Sequence, residues 1–275
     1  MYKRKMAIIL TSIIMSCSMI AGCSKTNNTS KGANVLISGS TSVGPLIEKE
    51  QEGFKIANSD INVQVNQLGS SAGIKDAING TVNIGMSSRD LKEEEKNAGI
   101  KEVEIAYDGI AIIVNSKNTT KSLTMSQIKD IYTGKITNWK NVGGKDSPIV
   151  VVSREDGSGT RDAFQEIVGY KSEELTKEAQ IGDGSGNIKS TVATNENAIG
   201  FISFEYIDDS ISAVKVDDVL PEAKYVKDLT YKISRPFILV YKEEKLDESS
   251  KKFIDYILSE EGQKIVEESG LIKIK

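Results

Sequence analysis

Ile110-Ala111-Ile112-Ile113-Val114 is an unbroken apolar run. It fits a strand covered on both faces, as in a parallel sheet flanked by helices. Working outward, further β-rich runs occur at Val35 to Ile37, Ile61 to Val65, Val103 to Ile105, Ile149 to Val152, Ile199 to Phe204 and Phe237 to Tyr241. Helical patterns lie between them. Leu46, Ile47, Phe54 and Ala57 share a helix spacing, and Thr124 with Gln127 forms a capping-box pattern ahead of Ile128 and Ile131. Phe253, Ile254, Ile257 and Leu258, then Ile265 and Val266, predict one or two amphipathic helices at the end. Strands alternating with helices in this way specify an α/β class with mainly parallel sheets.

The 275 residues are 39% apolar and 27% charged, enough for a sizeable core and unlike a disordered or multi-pass membrane chain. With 35 basic against 39 acidic residues the net charge is -4, which argues against a nucleic-acid partner. The chain has no histidine. That excludes Ser-His-Asp and Cys-His nucleophiles, His-ligated zinc and imidazole acid-base chemistry.

Residues 1-22 combine Lys3, Arg4 and Lys5 with an apolar run from Met6 to Ile14 and small residues ending at Ala21-Gly22. This is the pattern of a secretory signal peptide. The junction Met19-Ile20-Ala21-Gly22-Cys23 resembles a bacterial lipobox, in which Cys23 is lipidated as the first mature residue. Cys17 falls in the leader, so one cysteine is left and no internal disulfide is expected. Loss of Lys3, Arg4 and Lys5 leaves 32 basic against 39 acidic residues, a net -7. Acyl chains, not basic residues, would therefore hold the protein to a membrane. Residues 23-33 read as the anchor and a flexible tether.

Two clusters of glycine and hydroxyl residues stand out. Ser38-Gly39-Ser40-Thr41-Ser42-Val43-Gly44-Pro45 follows a strand and precedes a helix; Arg154-Glu155-Asp156-Gly157-Ser158-Gly159-Thr160-Arg161 does the same. Such loops offer hydroxyls and free N–H groups at the positive end of a helix dipole, a setting for anions. Arginine adds a planar fork for an oxyanion. Pro45-Leu46 after Gly44 rules out a Walker loop. Gly69-Ser70-Ser71-Ala72-Gly73 precedes a short helix from Ile74 to Ile78, and Met86-Ser87-Ser88-Arg89 follows a strand at Val82 to Ile84. Beyond the leader only Arg89, Arg154, Arg161 and Arg235 occur, three of them in these loops. Gly182 to Asn187 has a similar composition and reads as a helix start.

Taken in order, GSTSVGP, QLGSSAGIKDAINGTVNIGMSSR, YDGIAIIVN, IYTGKITNW, SREDGSGTRDAF, NAIGFIS and LSEEGQKIVEESG resemble the phosphate-binding lipoproteins of high-affinity phosphate ABC importers. The resemblance implies a two-lobed type II periplasmic-binding fold, each lobe a mainly parallel sheet with flanking helices, hinged by two crossover strands. Lobe one would be residues 34-115 plus 234-275 and lobe two 116-233. It implies that inorganic phosphate is held between the lobes by Thr41, Ser42, Ser70, Ser88, Arg154, Asp156, Ser158, Gly159 and Thr160, with Ser40 and Arg89 as neighbours. It further implies membrane permease subunits as partners, a monomer, no cofactor, and a place on the outer face of the bacterial cytoplasmic membrane through Cys23. Best-known members carry an aspartate where this sequence has Ser88, which bears on the phosphate ionisation state selected and on sulfate rejection. Asp156 or its neighbourhood is the expected acceptor for the phosphate proton, with Arg154 holding the Asp156 carboxylate ionised.

Other readings of the residues are a binder of another tetrahedral oxyanion, a phosphate-sensing surface lipoprotein, and a secreted hydrolase. The last has little support. Ser249-Ser250-Lys251-Lys252 contains S-x-x-K on a charged face, and Gly157-Ser158-Gly159 lacks the G-x-S-x-G elbow.

Overall fold

A computed structural model describes residues 33–274. The leader, Cys23 and the tether up to residue 32 lie outside the described residues. The elements in chain order are β1 (Ala33–Gly39), α1 (Gly44–Ala57), β2 (Ile61–Gln67), α2 (Ser70–Asn79), β3 (Ile84–Ser87), α3 (Glu93–Lys96), β4 (Lys101–Asn115), β5 (Ser122–Leu123) and α4 (Met125–Tyr132). They continue with β6 (Val150–Arg154), α5 (Gly159–Val168), β7 (Gln180–Gly182), α6 (Gly184–Thr194), β8 (Ala198–Ser203), β9 (Ile211–Val216), α7 (Ala223–Lys227), β10 (Ser234–Tyr241), α8 (Glu248–Ile257) and α9 (Glu260–Glu268).

The strand order is β2-β1-β3-β10-β4-β8-β6-β7, with β9 paired to β4 and β5. β1 is parallel to β2 and β3, and β6 is parallel to β7 and β8. β10 and β4 run antiparallel to their neighbours. The two apolar runs Val103 to Ile105 and Ile110 to Val114 are not separate strands. They are the two halves of β4, whose residues up to Gly109 pair with β10 and whose residues from Ile110 pair with β8 and β9.

The apolar side chains bury in two large clusters divided at that handover. One takes Val35, Ile37, Phe54, Ala106, Phe237, Phe253 and their neighbours. The other runs from Ile110 to Ile233 and includes Trp139, Phe164 and Phe201. A smaller cluster gathers Ile74, Ala77, Leu91, Ile100, Ile238 and Val240.

At the handover Asp108 and Arg235 are register partners on β4 and β10. Both are buried and form an ion pair at 2.8 Å. Asp108 Oδ1 also accepts from Ser203 Oγ at 3.0 Å. Gly109 has no room for a side chain, because a Cβ there would enter the Phe204 ring. Asp108-Gly109, a turn-like pair in sequence, thus sits inside a strand.

The Thr124 and Gln127 capping box forms at the start of α4. α2 and α5 begin earlier than the apolar spacing alone indicates, at Ser70 and Gly159. This shift puts hydroxyl-bearing residues into first helical turns. No described helix is long and apolar enough to cross a membrane.

Candidate functional site

Four helices of ten or more residues, α1, α2, α5 and α6, begin beside one another. For α1, α2 and α5 the proximity is set by backbone hydrogen bonds between their leading loops, and for α6 by the β6–β7 pairing with Ser185 N–H donating to Thr41 Oγ1 at 3.3 Å. Gly39 C=O accepts from Leu68 and Gly69 N–H, both at 2.8 Å, and Ser40 N–H donates to Met86 C=O at 3.0 Å. Ser71 N–H donates to Gly157 C=O at 3.1 Å, joining the α2 start to the α5 loop. The first N–H groups of a helix have no partner within it, so a shared space at four helix starts carries a positive field.

The hydroxyls that line this space touch one another across long stretches of chain. Ser42 Oγ lies 2.8 Å from Thr160 Oγ1 and 3.1 Å from Ser185 Oγ. Ser88 Oγ receives the Ser40 hydroxyl hydrogen at 2.9 Å and lies 3.3 Å from Ser70 Oγ and 3.5 Å from Thr160 Oγ1. Arg154 Nη2 donates to Thr41 Oγ1 at 3.0 Å and its Nη1 donates to Ser185 Oγ at 3.2 Å. Ser40, Ser42, Ser70, Ser88, Arg154, Thr160 and Ser185 are each 2% exposed or less. Thr41 is half-buried at the edge, where a cavity of about 540 Å³ opens over Thr41, Ser185 and Tyr206. Tyr206 Oη donates to Thr41 C=O at 2.7 Å.

Thr41, Ser42, Ser70, Ser88, Arg154 and Thr160 are therefore brought together, and Ser40 with them. Gly159 backs the cluster: a Cβ on it would strike Ser70 Oγ and come within 3.0 Å of Ser88 Oγ. Ser158 is buried beside them as the α5 N-cap, its Oγ accepting from Arg161 N–H at 3.3 Å. Arg89 is one layer out. It holds Glu95 through Nη1 at 2.7 Å, Asp162 through Nε at 3.0 Å and Ser71 Oγ through Nη2 at 3.3 Å.

Asp156 is not part of the cluster, contrary to the expectation from sequence. Its side chain is 94% exposed and its Oδ1 is paired with Arg161 Nη1 at 2.6 Å. The physical reason is the turn before α5, which faces Asp156 outward, together with Arg161, whose Nη1 also donates to Arg154 C=O at 3.1 Å. The carboxylate that steadies Arg154 is Glu155, which takes Nε and Nη2 at 2.7 Å each and Gly184 N–H at 3.2 Å. Burial pushes the Glu155 carboxyl up, but Arg154 and the N–H donors outweigh it and hold the group below the usual carboxylate range.

Two participants were missed from sequence, Glu155 and Ser185. The signal for Ser185 was available: Gly182-Asp183-Gly184-Ser185-Gly186 follows a strand and opens a helix as the other loops do. Among the described residues, no group of three or more His, Cys, Asp or Glu side chains could hold a metal ion. Hydroxyls, one guanidinium and helix-start N–H groups form a donor-rich enclosure, whose chemistry is to replace the hydration of an anion.

A cleft of this kind defines a class, and residues 24–261 match the PBP superfamily domain. The chain is 34% identical over 291 residues to the phosphate-binding protein PstS of Bacillus subtilis strain 168, an alignment spanning 100% of this chain and 95% of that protein. It is 31% identical to PstS of Borreliella burgdorferi, spanning 98% of this chain and 99% of that one. Among solved structures it resembles a putative phosphate ABC transporter substrate-binding protein with bound phosphate from Clostridium perfringens. That pair has 67% identity and a TM-score of 0.87, covering 88% of this chain and 100% of that one. An ABC-type phosphate transport receptor from Vibrio cholerae superposes with a TM-score of 0.73 at 36% identity, covering 88% of this chain and 100% of that one. The chain belongs to the PBP superfamily and, within it, to the family of PstS phosphate-binding proteins.

Proposed function

We propose that this protein binds inorganic phosphate outside the cytoplasm and hands it to the permease of an ABC importer, as a binding protein and not an enzyme. The observation that carries the reading is the convergence of Ser42, Ser70, Thr160 and Ser185 hydroxyls from four helix starts with Ser88 from the end of β3 and the Arg154 guanidinium. The ligand set is Thr41, Ser42, Ser70, Ser88, Arg154, Ser158, Gly159 and Thr160, with Ser40 and Ser185 added. Residues 34-115 with 234-275 act as one lobe and 116-233 as the other. They bend about β4 and β10, and the anion draws them together because its donors come from both. The protein acts as a monomer, tethered to the outer face of the membrane by a lipid on Cys23.

Enclosing a dianion is unfavourable by several kcal/mol unless its oxygens find donors. Charge-assisted hydrogen bonds contribute about 1.5–3 kcal/mol each, so a handful leaves about -8 kcal/mol, a micromolar affinity. Isothermal calorimetry with phosphate tests the reading. Arg154→Ala should weaken binding by about 30-fold or more, the loss of about 2 kcal/mol when a buried charge partner is removed. Unchanged affinity in Arg154→Ala would remove the cluster from the binding site.

A further inference from the structure

Arg89 and Asp162 lie outside the proposed ligand set, one on each of the two stretches of chain that act as lobes. Arg89 follows β3, and Asp162 is in the first turn of α5. The guanidinium is fixed from its own side. Glu95 takes Nη1 at 2.7 Å and Nη2 at 2.8 Å, Nη1 also donates to Asp90 C=O at 2.7 Å, and Glu95 is itself steadied by Lys92 N–H at 2.8 Å. Arg89 is 4% exposed. Its Nε faces Asp162 Oδ2 at 3.0 Å, and Lys92 Nζ stands 3.7 Å from the same oxygen. Nε makes no directed hydrogen bond, so the contact with Asp162 is ionic. The seam continues beside it, where Arg89 Nη2 reaches Ser71 Oγ at 3.3 Å and Ser71 N–H donates to Gly157 C=O at 3.1 Å.

Among the described residues, each ion pair that joins the two stretches takes its cation from 34-115 and its carboxylate from 116-233. Arg89 and Lys92 meet Asp162 in this way, and Lys49 meets Glu205. An ion pair made only when the halves meet favours the closed arrangement by its own free energy. Partly buried, it is screened less than a pair in open solvent, and a guanidinium already held by Glu95 loses little freedom in forming it. An enclosed anion leaves only after the halves part, so a contact of this kind slows departure and leaves arrival unchanged.

We propose that Arg89 and Asp162 form a clasp that holds the halves shut and sets the residence time of the ligand. Arg89 acts as a positioning residue that does not touch the anion. The inference rests on the phosphate reading of the cleft.

The charge of Asp162 makes the sign of the test decisive. A carboxylate near an anion site repels the ligand, so neutralising it would tighten binding if no clasp existed. With the clasp, Asp162→Asn should instead weaken phosphate binding by about 3- to 10-fold, between the effect of an exposed ion pair and that of a buried charge-assisted bond. Calorimetry reads the affinity and phosphorus-31 NMR exchange reads the dissociation rate, which should rise by the same factor while the association rate stays within about twofold. Asp162→Ser gives the same reading if circular dichroism shows that the amide disturbs α5. Unchanged or tighter binding in a folded variant, or a loss confined to the association rate, overturns the clasp and leaves phosphate binding intact. Absence of phosphate binding in the unaltered protein overturns the reading beneath it.

Discussion

Glu50→Gln tests how the α1 face is buried, independently of the ligand. Glu50 shares the buried face of α1 with Leu46, Ile47 and Phe54, and the Phe54 ring meets Phe253 and Tyr256 edge-on at 5.1 and 5.5 Å. The side chain is fully buried and neither carboxylate oxygen has a partner. Burial pushes its pKa from 4.5 up to about 8. The folded protein therefore keeps this proton until about pH 8, while the unfolded chain releases it near pH 4.5. The contribution to stability is fully present below pH 4.5 and is lost as pH rises through about 8. Each pH unit in that window removes about 1.4 kcal/mol, so at pH 7.5 the deficit is on the order of 4 kcal/mol. Glutamine has the same shape and needs no proton. Urea unfolding followed by far-ultraviolet circular dichroism should show the Glu50→Gln advantage growing between pH 5 and pH 8, with little difference near pH 4.5. Parallel stability curves for the two proteins across that range would refute the reasoning.

Gly159→Ala should lower phosphate affinity by at least about 10-fold, because the added methyl enters the position of Ser70 Oγ and crowds Ser88. Circular dichroism should stay unchanged and calorimetry would read the loss; full affinity would mean that the α5 start does not meet these serines. Lys49→Met should destabilise the protein at pH 8 by about 2 kcal/mol. It removes the cation on Glu205, whose side chain is 4% exposed and bonded to Lys49 Nζ at 2.8 Å. Adding Glu205→Gln to Lys49→Met should restore most of that stability in urea unfolding, and equal losses in the single and double variants would contradict the pairing.

Much of the architecture was legible because it rests on local patterns. The run Ile110 to Val114, the spacing of Leu46, Ile47 and Phe54, and the Thr124 and Gln127 capping box all read directly from neighbours in sequence. What stayed hidden depends on distant partners. Asp108-Gly109 looks like a break, yet the strand continues because Arg235, 127 positions later, neutralises Asp108. Apolar spacing puts the starts of α2 and α5 late because serine and glycine favour helices weakly, and only the packed loops make Ser70 and Gly159 helical. In the site, the hydroxyl loops announced themselves by composition. The choice between Glu155 and Asp156 as the partner of Arg154 did not, since a single backbone turn decides which carboxylate faces inward.

β4 is hydrogen-bonded to β10 along its first half and to β8 and β9 along its second. No seam in the backbone bonding separates the two large apolar clusters at this strand. Fraying that begins in one must strip the edge from which the other is built, and the buried Asp108–Arg235 pair at the junction would lose its shelter at the same moment. The two interiors share no buried side chains, so this one strand is the structural link through which loss of order in either half would reach the other.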